Sequence, residues 1–92
     1  LLLMQAKITM KTNKLTDLRE KIDQIDTKIA DLLATRAETV RTIKIIKKQQ
    51  KLPKIDPKRE KEILSKLKTD YQKAVFKKIL IESRKLKPKS KI

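Results

Sequence analysis

The sequence predicts an all-α fold with one long N-terminal helix followed by two shorter helices. Three observations support this prediction. The 92 residues include no Gly, many are Leu, Ile and Lys, and 38% are hydrophobic and 40% charged. Apolar residues recur at three- and four-residue spacing over one long stretch. Helix-capping residues and Pro divide the rest of the chain into two shorter segments.

The long helix is predicted to run from Leu15 to about Lys51. Its apolar stripe consists of Leu15, Leu18, Ile22, Ile25, Ile29 and Leu32. No Gly or Pro interrupts this stretch, so a helix of about 55 Å is expected at ~1.5 Å per residue. Thr12 and Asn13 are the candidate N-caps, and residues 1–13 are expected to form an N-terminal tail that is either disordered or an irregular helical extension.

The second half of the stripe has cations at positions where apolar residues are expected. It continues as Ile29, Leu33, Arg36, Val40, Ile43 and Lys47. Arg36 and Lys47 differ by about 20° in helical phase, so they share a face. A cation on a packing face is costly unless an anion pairs with it. The pattern therefore predicts a bound anionic ligand, although both side chains could instead extend to solvent from the edge of the stripe.

Two shorter helices are predicted from their capping residues. Asp56 and Pro57 open the second helix as its N-cap and first residue. Thr69, with Gln72 three residues later, forms a capping box at the start of the third helix. Pro88 is expected to end that helix. The apolar residues expected to face inward are Ile63, Leu64 and Leu67 in the second helix and Val75, Phe76, Ile79, Leu80 and Leu86 in the third.

The stripe is too long for the two shorter helices of the same chain to cover. Those helices, of about 11 and 17 residues, would measure roughly 16 and 26 Å. Pairing of the long helices of two copies would cover the remaining stripe, so a symmetric dimer is expected. The alternative is a bend or break near Thr35–Thr42 that lets one chain close on itself.

The lack of Cys and His limits the kinds of covalent link, metal site and catalytic group that the chain can have. It excludes disulfides, zinc sites, most redox-metal sites and catalysis by Cys or His. A chain without Cys is expected in the cytoplasm, and the apolar run at the N-terminus is too short for a membrane span or a signal-peptide core.

The formal net charge of +15 predicts an anionic partner, which is either nucleic acid, a membrane surface or an anionic metabolite. Lysine-rich surfaces also occur simply because they keep proteins soluble. The aromatic residues Tyr71 and Phe76 are too few to support stacking on single-stranded bases. Nucleic acid is therefore a less favoured partner than a small anion.

Several short motifs occur together in a specific order and spacing. They are Leu18-Arg19-Glu20-Lys21-Ile22-Asp23, Ile25-Asp26, Leu32-Leu33-Ala34-Thr35-Arg36, Lys47, Leu52-Pro53, Asp56-Pro57-Lys58-Arg59-Glu60 and the run from Phe76 to Glu82-Ser83. Together they resemble the all-helical (AroQ-class) chorismate mutases over roughly Leu15–Lys87. The resemblance implies a chorismate mutase domain at residues 14–87, between the N-terminal tail at 1–13 and a basic C-terminal tail at 88–92.

The resemblance also implies an architecture and a reaction. Members of this family have a three-helix protomer that intertwines with a second copy to form a homodimer with two shared active sites. They convert chorismate to prephenate in the biosynthesis of phenylalanine and tyrosine. The reaction is a pericyclic rearrangement of a dianionic substrate, so no cofactor, metal or covalent intermediate is expected.

Three cations of the long helix match substrate-binding and catalytic residues of the family. Arg19 matches the arginine that reaches into the partner protomer's site, and Arg36 matches the arginine that holds a substrate carboxylate. Lys47 matches the lysine that bonds the ether oxygen and a carboxylate. Arg19 lies about 25 Å before Arg36 along the helix, so one helix cannot place both on one small ligand. The alternative for Arg19 is an ordinary surface pair with Asp23.

Five residues of the shorter segments match the rest of the family's site. Asp56, through its backbone, and Glu60 match the pair near the substrate hydroxyl, and Arg59 matches a charged wall residue. Ser83 matches a serine near the ring carboxylate. Lys87 stands where the family usually has Gln or Glu, as the second group at the ether oxygen. Simpler alternatives are that Glu60 only complements the helix start and that Ser83 is a surface residue.

Two other functions remain open at this point. One is an isochorismate-pyruvate lyase on the same scaffold, which product analysis would distinguish from a mutase. The other is a non-enzymatic basic helical module that binds nucleic acid. Such a module predicts steeply salt-dependent affinity for DNA or RNA and no turnover of chorismate.

Overall fold

The computed structural model describes residues 2–88, with side chains from residue 13 onward. It contains the α-helices α1 (Leu2–Gln49), α2 (Pro57–Ser65) and α3 (Asp70–Arg84). No strand occurs among the described residues. Within the same range, no helix combines the length and the apolar character needed to cross a membrane. The all-α class and the order of one long helix followed by two shorter ones are confirmed.

The start of α1 differs from the prediction. α1 begins at Leu2, so the prediction that Thr12 or Asn13 caps it is wrong. No Gly or Pro precedes Gln49 to stop the helix, and Thr or Asn in a helix interior costs only about 0.5 kcal/mol relative to Ala. The helix also runs without a break through Thr35–Thr42, so a break there is excluded.

α1 ends in a Schellman-type turn. The Leu52 amide donates to the Lys47 carbonyl at 2.8 Å, and the Lys51 amide donates to the Lys48 carbonyl at 3.2 Å. Lys51 has a left-handed backbone with a φ of 56°, a conformation that Gly usually occupies in such turns. A residue with a Cβ pays roughly 1 to 2 kcal/mol for it. The turn therefore stores a local strain directly after the lysines of α1.

Asp56 caps α2, as the sequence predicts. Its Oδ1 accepts a hydrogen bond from the Arg59 amide at 3.1 Å, and Pro57 is the first helical residue. The cap satisfies one of the amides that a helix leaves without an intrahelical partner. It thereby holds the first turn of α2, which carries Arg59 and Glu60.

The predicted capping box at the start of α3 is also present. The Thr69 hydroxyl accepts from the Gln72 amide at 3.1 Å, and the Gln72 side-chain oxygen accepts from the Thr69 amide at 3.1 Å. Two amides of the first turn are satisfied reciprocally. The capping box therefore sets the start of α3 at Asp70, a few residues after the end of α2.

α3 is shorter at its C-terminal end than predicted. It ends at Arg84 rather than at Pro88, so Leu86 and Lys87 lie beyond it. Pro88 disfavours helical geometry at the residue before it. In addition, the Lys44 side chain from α1 binds carbonyls at this end of α3. Pro88 therefore accounts for the absence of helix at Lys87, and the Lys44 contacts satisfy carbonyls that the helix end leaves without intrahelical partners.

The chain divides into two compact units, Leu1–Ala34 and Thr35–Ile92. In the second unit α2 packs against α3. Leu80 is the single buried residue among those whose side chains are described, with 8% of its surface exposed. The half-buried apolar residues of this unit are Ala37, Val40, Ile45, Ile63, Leu64, Leu67, Phe76, Ile79 and Leu86. One chain therefore buries only a small core.

The apolar stripe of the first unit is exposed in the single chain. Its six members, which are 43–69% exposed, are Leu15, Leu18, Ile22, Ile25, Ile29 and Leu32. Complete burial of such a side chain contributes about 1.5–3 kcal/mol, and each of these partly exposed residues forgoes roughly half of that free energy. A contiguous apolar surface of this kind marks an interaction face rather than scattered surface residues.

Candidate active site

Three cations lie on one half-buried face of α1. Arg36, Lys44 and Lys47 are all half-buried, whereas the apolar neighbours Leu33 and Ile43 are 41% and 44% exposed. Their spacings of eight and three residues place the three cations on the same side of the helix. The structure thus puts Arg36 and Lys47 at partly buried positions, in agreement with the spacing of the stripe.

Arg36 is bonded directly to α3. Its Nη1 donates to the Ser83 hydroxyl oxygen at 2.5 Å, and that hydroxyl donates in turn to the Ile79 carbonyl at 2.6 Å. The guanidinium has five N–H donors in a planar fork. It can therefore hold Ser83 with one N–H and offer others to a carboxylate.

Lys44 binds the C-terminal end of α3. Its Nζ donates to the carbonyl oxygens of Ser83 at 2.9 Å, Arg84 at 3.0 Å and Leu86 at 2.5 Å. Partial burial lowers the pKa of the Lys44 ammonium below the ordinary lysine value, and the nearby positive charges of Arg41, Lys47 and Lys54 lower it further.

Lys44 is not among the site residues predicted from the sequence, although its spacing from Arg36 and Lys47 indicates that it lies on their face of α1. Lys44 lies eight residues after Arg36 and three before Lys47, so it shares the face that their spacing defined. Only the position of α3, however, gives its ammonium carbonyl partners.

Lys47 lies in the last turn of α1. Its Nζ is 3.4 Å from the Lys54 carbonyl oxygen, which is longer than a normal N–H···O hydrogen bond. The positive charges of Lys47 and Lys54 are both close enough to Lys44 to lower its pKa. Such a cluster of cations is stabilised when a small anion enters it.

The first turn of α2 contributes one negatively charged and one positively charged side chain, Glu60 and Arg59. Glu60 is half-buried, and its Oε1 and Oε2 accept from Arg84 Nη2 at 2.5 Å and Nε at 3.3 Å. Arg59 is exposed, and its Nη1 lies 3.4 Å from Glu62 Oε2. Asp56 is engaged as the N-cap through its side chain. No pattern in the sequence predicts that Arg84 pairs with Glu60.

Two predicted site residues, Arg19 and Lys87, are exposed in the single chain. Lys87 is exposed and lies beyond the end of α3. Arg19 is exposed on α1, in the unit Leu1–Ala34. The second unit therefore brings Arg36 and Ser83 together, whereas Arg19 and Lys87 are solvent-facing in the single chain.

The arrangement suits a small molecule with two negative groups. Arg36 can hold one carboxylate, the Lys47 ammonium can approach a second oxygen, and Glu60 can accept from a hydroxyl. No nucleophile activated by a neighbouring base lies in this group. Binding, orientation and electrostatic stabilisation are therefore the chemistry that it offers.

Comparisons with known proteins agree with this chemistry. The family model for chorismate mutase type II matches residues 18–87. Among curated proteins, the chorismate mutase of Methanocaldococcus jannaschii is 43% identical over 54 residues, which cover 59% of this chain and 54% of that protein. The match thus spans about half the length of that relative. No solved structure gave a significant match.

Proposed function

Because this chain belongs to the chorismate mutase type II family, we propose that it catalyses the rearrangement of chorismate to prephenate. The observation that carries the proposal is the position of Arg36. This half-buried residue shares a face of α1 with Lys47 and is hydrogen-bonded to Ser83 of α3. We assign these residues to the family's roles in carboxylate and ether-oxygen recognition because their motifs resemble those of the family. The curated relative named a chorismate mutase supports the same reaction.

The proposed reaction is unimolecular and needs no group from the protein to be transferred. A C–O ether bond of chorismate breaks while a C–C bond forms in the same molecule, and no proton or electron is exchanged with the enzyme. Catalysis then consists of holding the substrate in its folded, near-attack shape. It also includes stabilising the negative charge that builds on the ether oxygen.

The cations of α1 would supply both effects. Arg36 binds a substrate carboxylate through its planar fork, and the Ser83 hydroxyl, which donates to the Ile79 carbonyl without ligand, rotates to donate to the ring carboxylate beside it. Lys47 donates to the ether oxygen, where charge develops in the transition state. Lys87 is the proposed second group at that oxygen, reached from its exposed position by its flexible side chain.

The first turn of α2 would hold the substrate hydroxyl. The Glu60 carboxylate accepts from that hydroxyl, and the Asp56 backbone donates to it. An ionised carboxylate has about four acceptor positions, so Glu60 can stay bonded to Arg84 while it accepts from the ligand. Arg59 forms part of the charged wall of the site.

We further propose a homodimer built on paired α1 helices. The support is the stripe from Leu15 to Leu32, whose members are 43–69% exposed in the single chain. Covering these side chains with a second copy releases their burial free energy. In such an intertwined dimer, Arg19 of each protomer completes the site of its partner.

The proposed role is in phenylalanine and tyrosine biosynthesis in the cytoplasm. The support is the family's reaction, whose product leads to both amino acids, and a chain that has no Cys to oxidise. The proposed partners are chorismate and a second copy of the chain, with no cofactor or metal.

The test is a chorismate-disappearance assay on the purified chain with identification of the product. We expect prephenate to form in proportion to the chorismate consumed. A Lys47→Ala chain, prepared identically, reports contaminating activity, and Lys48→Ala, a change of an exposed lysine next to it, is the matched control. Release of pyruvate from isochorismate without prephenate formation would instead assign a lyase.

A further inference from the structure

The C-terminal end of α3 is held by a side chain from another helix. A helix leaves its last carbonyls without intrahelical partners, and a nearby lysine can satisfy them. Here that lysine is Lys44 of α1, about 40 residues earlier in the chain, and it contacts the carbonyls of Ser83, Arg84 and Leu86. The contact therefore joins α1 to α3 rather than only completing a local cap.

Two of these carbonyls belong to residues with side chains in the candidate site. The Ser83 carbonyl accepts a hydrogen bond from Lys44, and the Ser83 hydroxyl accepts one from Arg36. α1 therefore binds both the backbone and the side chain of this residue. The Arg84 carbonyl is also held by Lys44, while the Arg84 guanidinium bonds Glu60. One ammonium thus constrains both Ser83 and Arg84.

The hydrogen-bond capacity of Lys44 separates its role from that of Lys47. A protonated lysine has three N–H donors, and Lys44 has three carbonyl partners at 2.5–3.0 Å. The structure thus engages all three donors, which leaves none for a substrate oxygen. Lys44 is consequently suited to hold the site and not to contact the ligand.

We propose that Lys44 is a positioning residue that fixes Ser83 against Arg36 by clamping the C-terminal end of α3 to α1. The inference rests on the proposed function and deepens it, because it names a residue that acts on the carboxylate-binding pair without touching the substrate. Loss of the clamp lets the end of α3 shift relative to α1. A displacement of about 1 Å in such a group can lower activity by up to ~10²-fold.

The kinetic test compares Lys44→Met, Lys44→Arg and the control Lys48→Met, which changes an exposed lysine on the same helix. We expect Lys44→Met to raise KM by on the order of 10-fold with kcat within about 3-fold, because Ser83 contributes to ground-state binding of a carboxylate. Lys44→Arg should recover part of the loss, since a guanidinium can still donate to carbonyls. Lys48→Met should leave both constants unchanged.

A double-mutant cycle separates positioning from general stabilisation. If Lys44 acts through Ser83, Lys44→Met should have little further effect on KM in a Ser83→Ala background. A residue that only stabilises the fold would lower the melting temperature and leave KM unchanged well below it. Wild-type KM in a folded Lys44→Met chain, or full additivity with Ser83→Ala, would overturn the inference.

Amide hydrogen exchange tests the clamp independently of turnover. The Leu86 amide donates to the Ser83 carbonyl at 3.2 Å, the same oxygen that Lys44 binds. Exchange at Leu86 should be about 10-fold faster in Lys44→Met than in Lys48→Met, and unchanged exchange would overturn the clamp. A wild-type chain that does not convert chorismate would refute the proposed function alone, and the exchange result would still decide the clamp.

Discussion

Arg36 and Ser83 are joined by a hydrogen bond of 2.5 Å between Nη1 and the hydroxyl oxygen, across 47 residues of sequence. The bond links α1 to α3 inside the unit Thr35–Ile92. Both residues are half-buried, so the guanidinium is oriented before any ligand arrives. Preorganisation of this kind reduces the entropy that a carboxylate ligand must lose on binding.

The first prediction concerns this guanidinium. Arg36→Ala should lower kcat/KM by on the order of 10²-fold or more and affect both kcat and KM, because Arg36 binds the ground state and the transition state. Arg36→Lys keeps the charge and loses the planar fork, so it should recover only a small part. Steady-state kinetics with chorismate measure both. Full activity of Arg36→Lys would show that the fork is not required.

The second prediction concerns the ether-oxygen donor. Lys47→Ala should lower kcat by on the order of 10²-fold or more, the scale observed when one transition-state donor is removed. Lys48→Ala should retain wild-type kcat because Lys48 is exposed. Near-normal turnover by Lys47→Ala would contradict the assignment of Lys47 to the ether oxygen.

The third prediction tests the shared site of the proposed dimer. Arg19→Ala and Arg36→Ala chains should each be nearly inactive as homodimers. When the two are mixed and exchange subunits, one of the two sites in a heterodimer contains both wild-type arginines, so activity should partly return. Subunit exchange is verified by mass spectrometry of differently tagged chains. Verified exchange without any recovery would exclude a site shared in this way.

The fourth prediction addresses Lys87, which replaces the family's usual Gln or Glu. We expect Lys87→Ala to lower kcat several-fold because a donor near the ether oxygen is lost. Lys87→Gln should restore or improve kcat, since it keeps a donor and removes a like charge near Lys47. Lys87 is exposed beyond α3. Wild-type kcat and KM for both substitutions would show that Lys87 stays outside the site.

The fifth prediction concerns stability. Lys51 has a left-handed backbone with a φ of 56° at the end of α1. Lys51→Gly should therefore raise the free energy of unfolding by about 1 kcal/mol. For a chain of this size that corresponds to a melting temperature higher by about 4–8 °C. Lys51→Ala, which keeps a Cβ, is the control and should give no such gain at equal protein concentration.

The sequence alone determined the features that depend on neighbouring residues. The all-α class follows from three- and four-residue spacing, and the starts of α2 and α3 follow from caps that act within three residues, at Asp56 and Thr69. The spacing of Arg36 and Lys47 likewise placed both on one face. The start of α1 could not be predicted from Thr12 or Asn13, because a polar residue within a helix does not by itself stop it.

Only the tertiary structure decided which groups meet across the chain. The spacing of Lys44 puts it on the face of Arg36 and Lys47, but only the C-terminal end of α3 and the residues after it place three carbonyls around its ammonium. Arg84 likewise acquired its role only when α3 packed beside α2 and Glu60. These contacts join residues 24 to 42 positions apart. Helical periodicity sets which side of a helix a residue faces, but the packing of one helix on another determines what it touches.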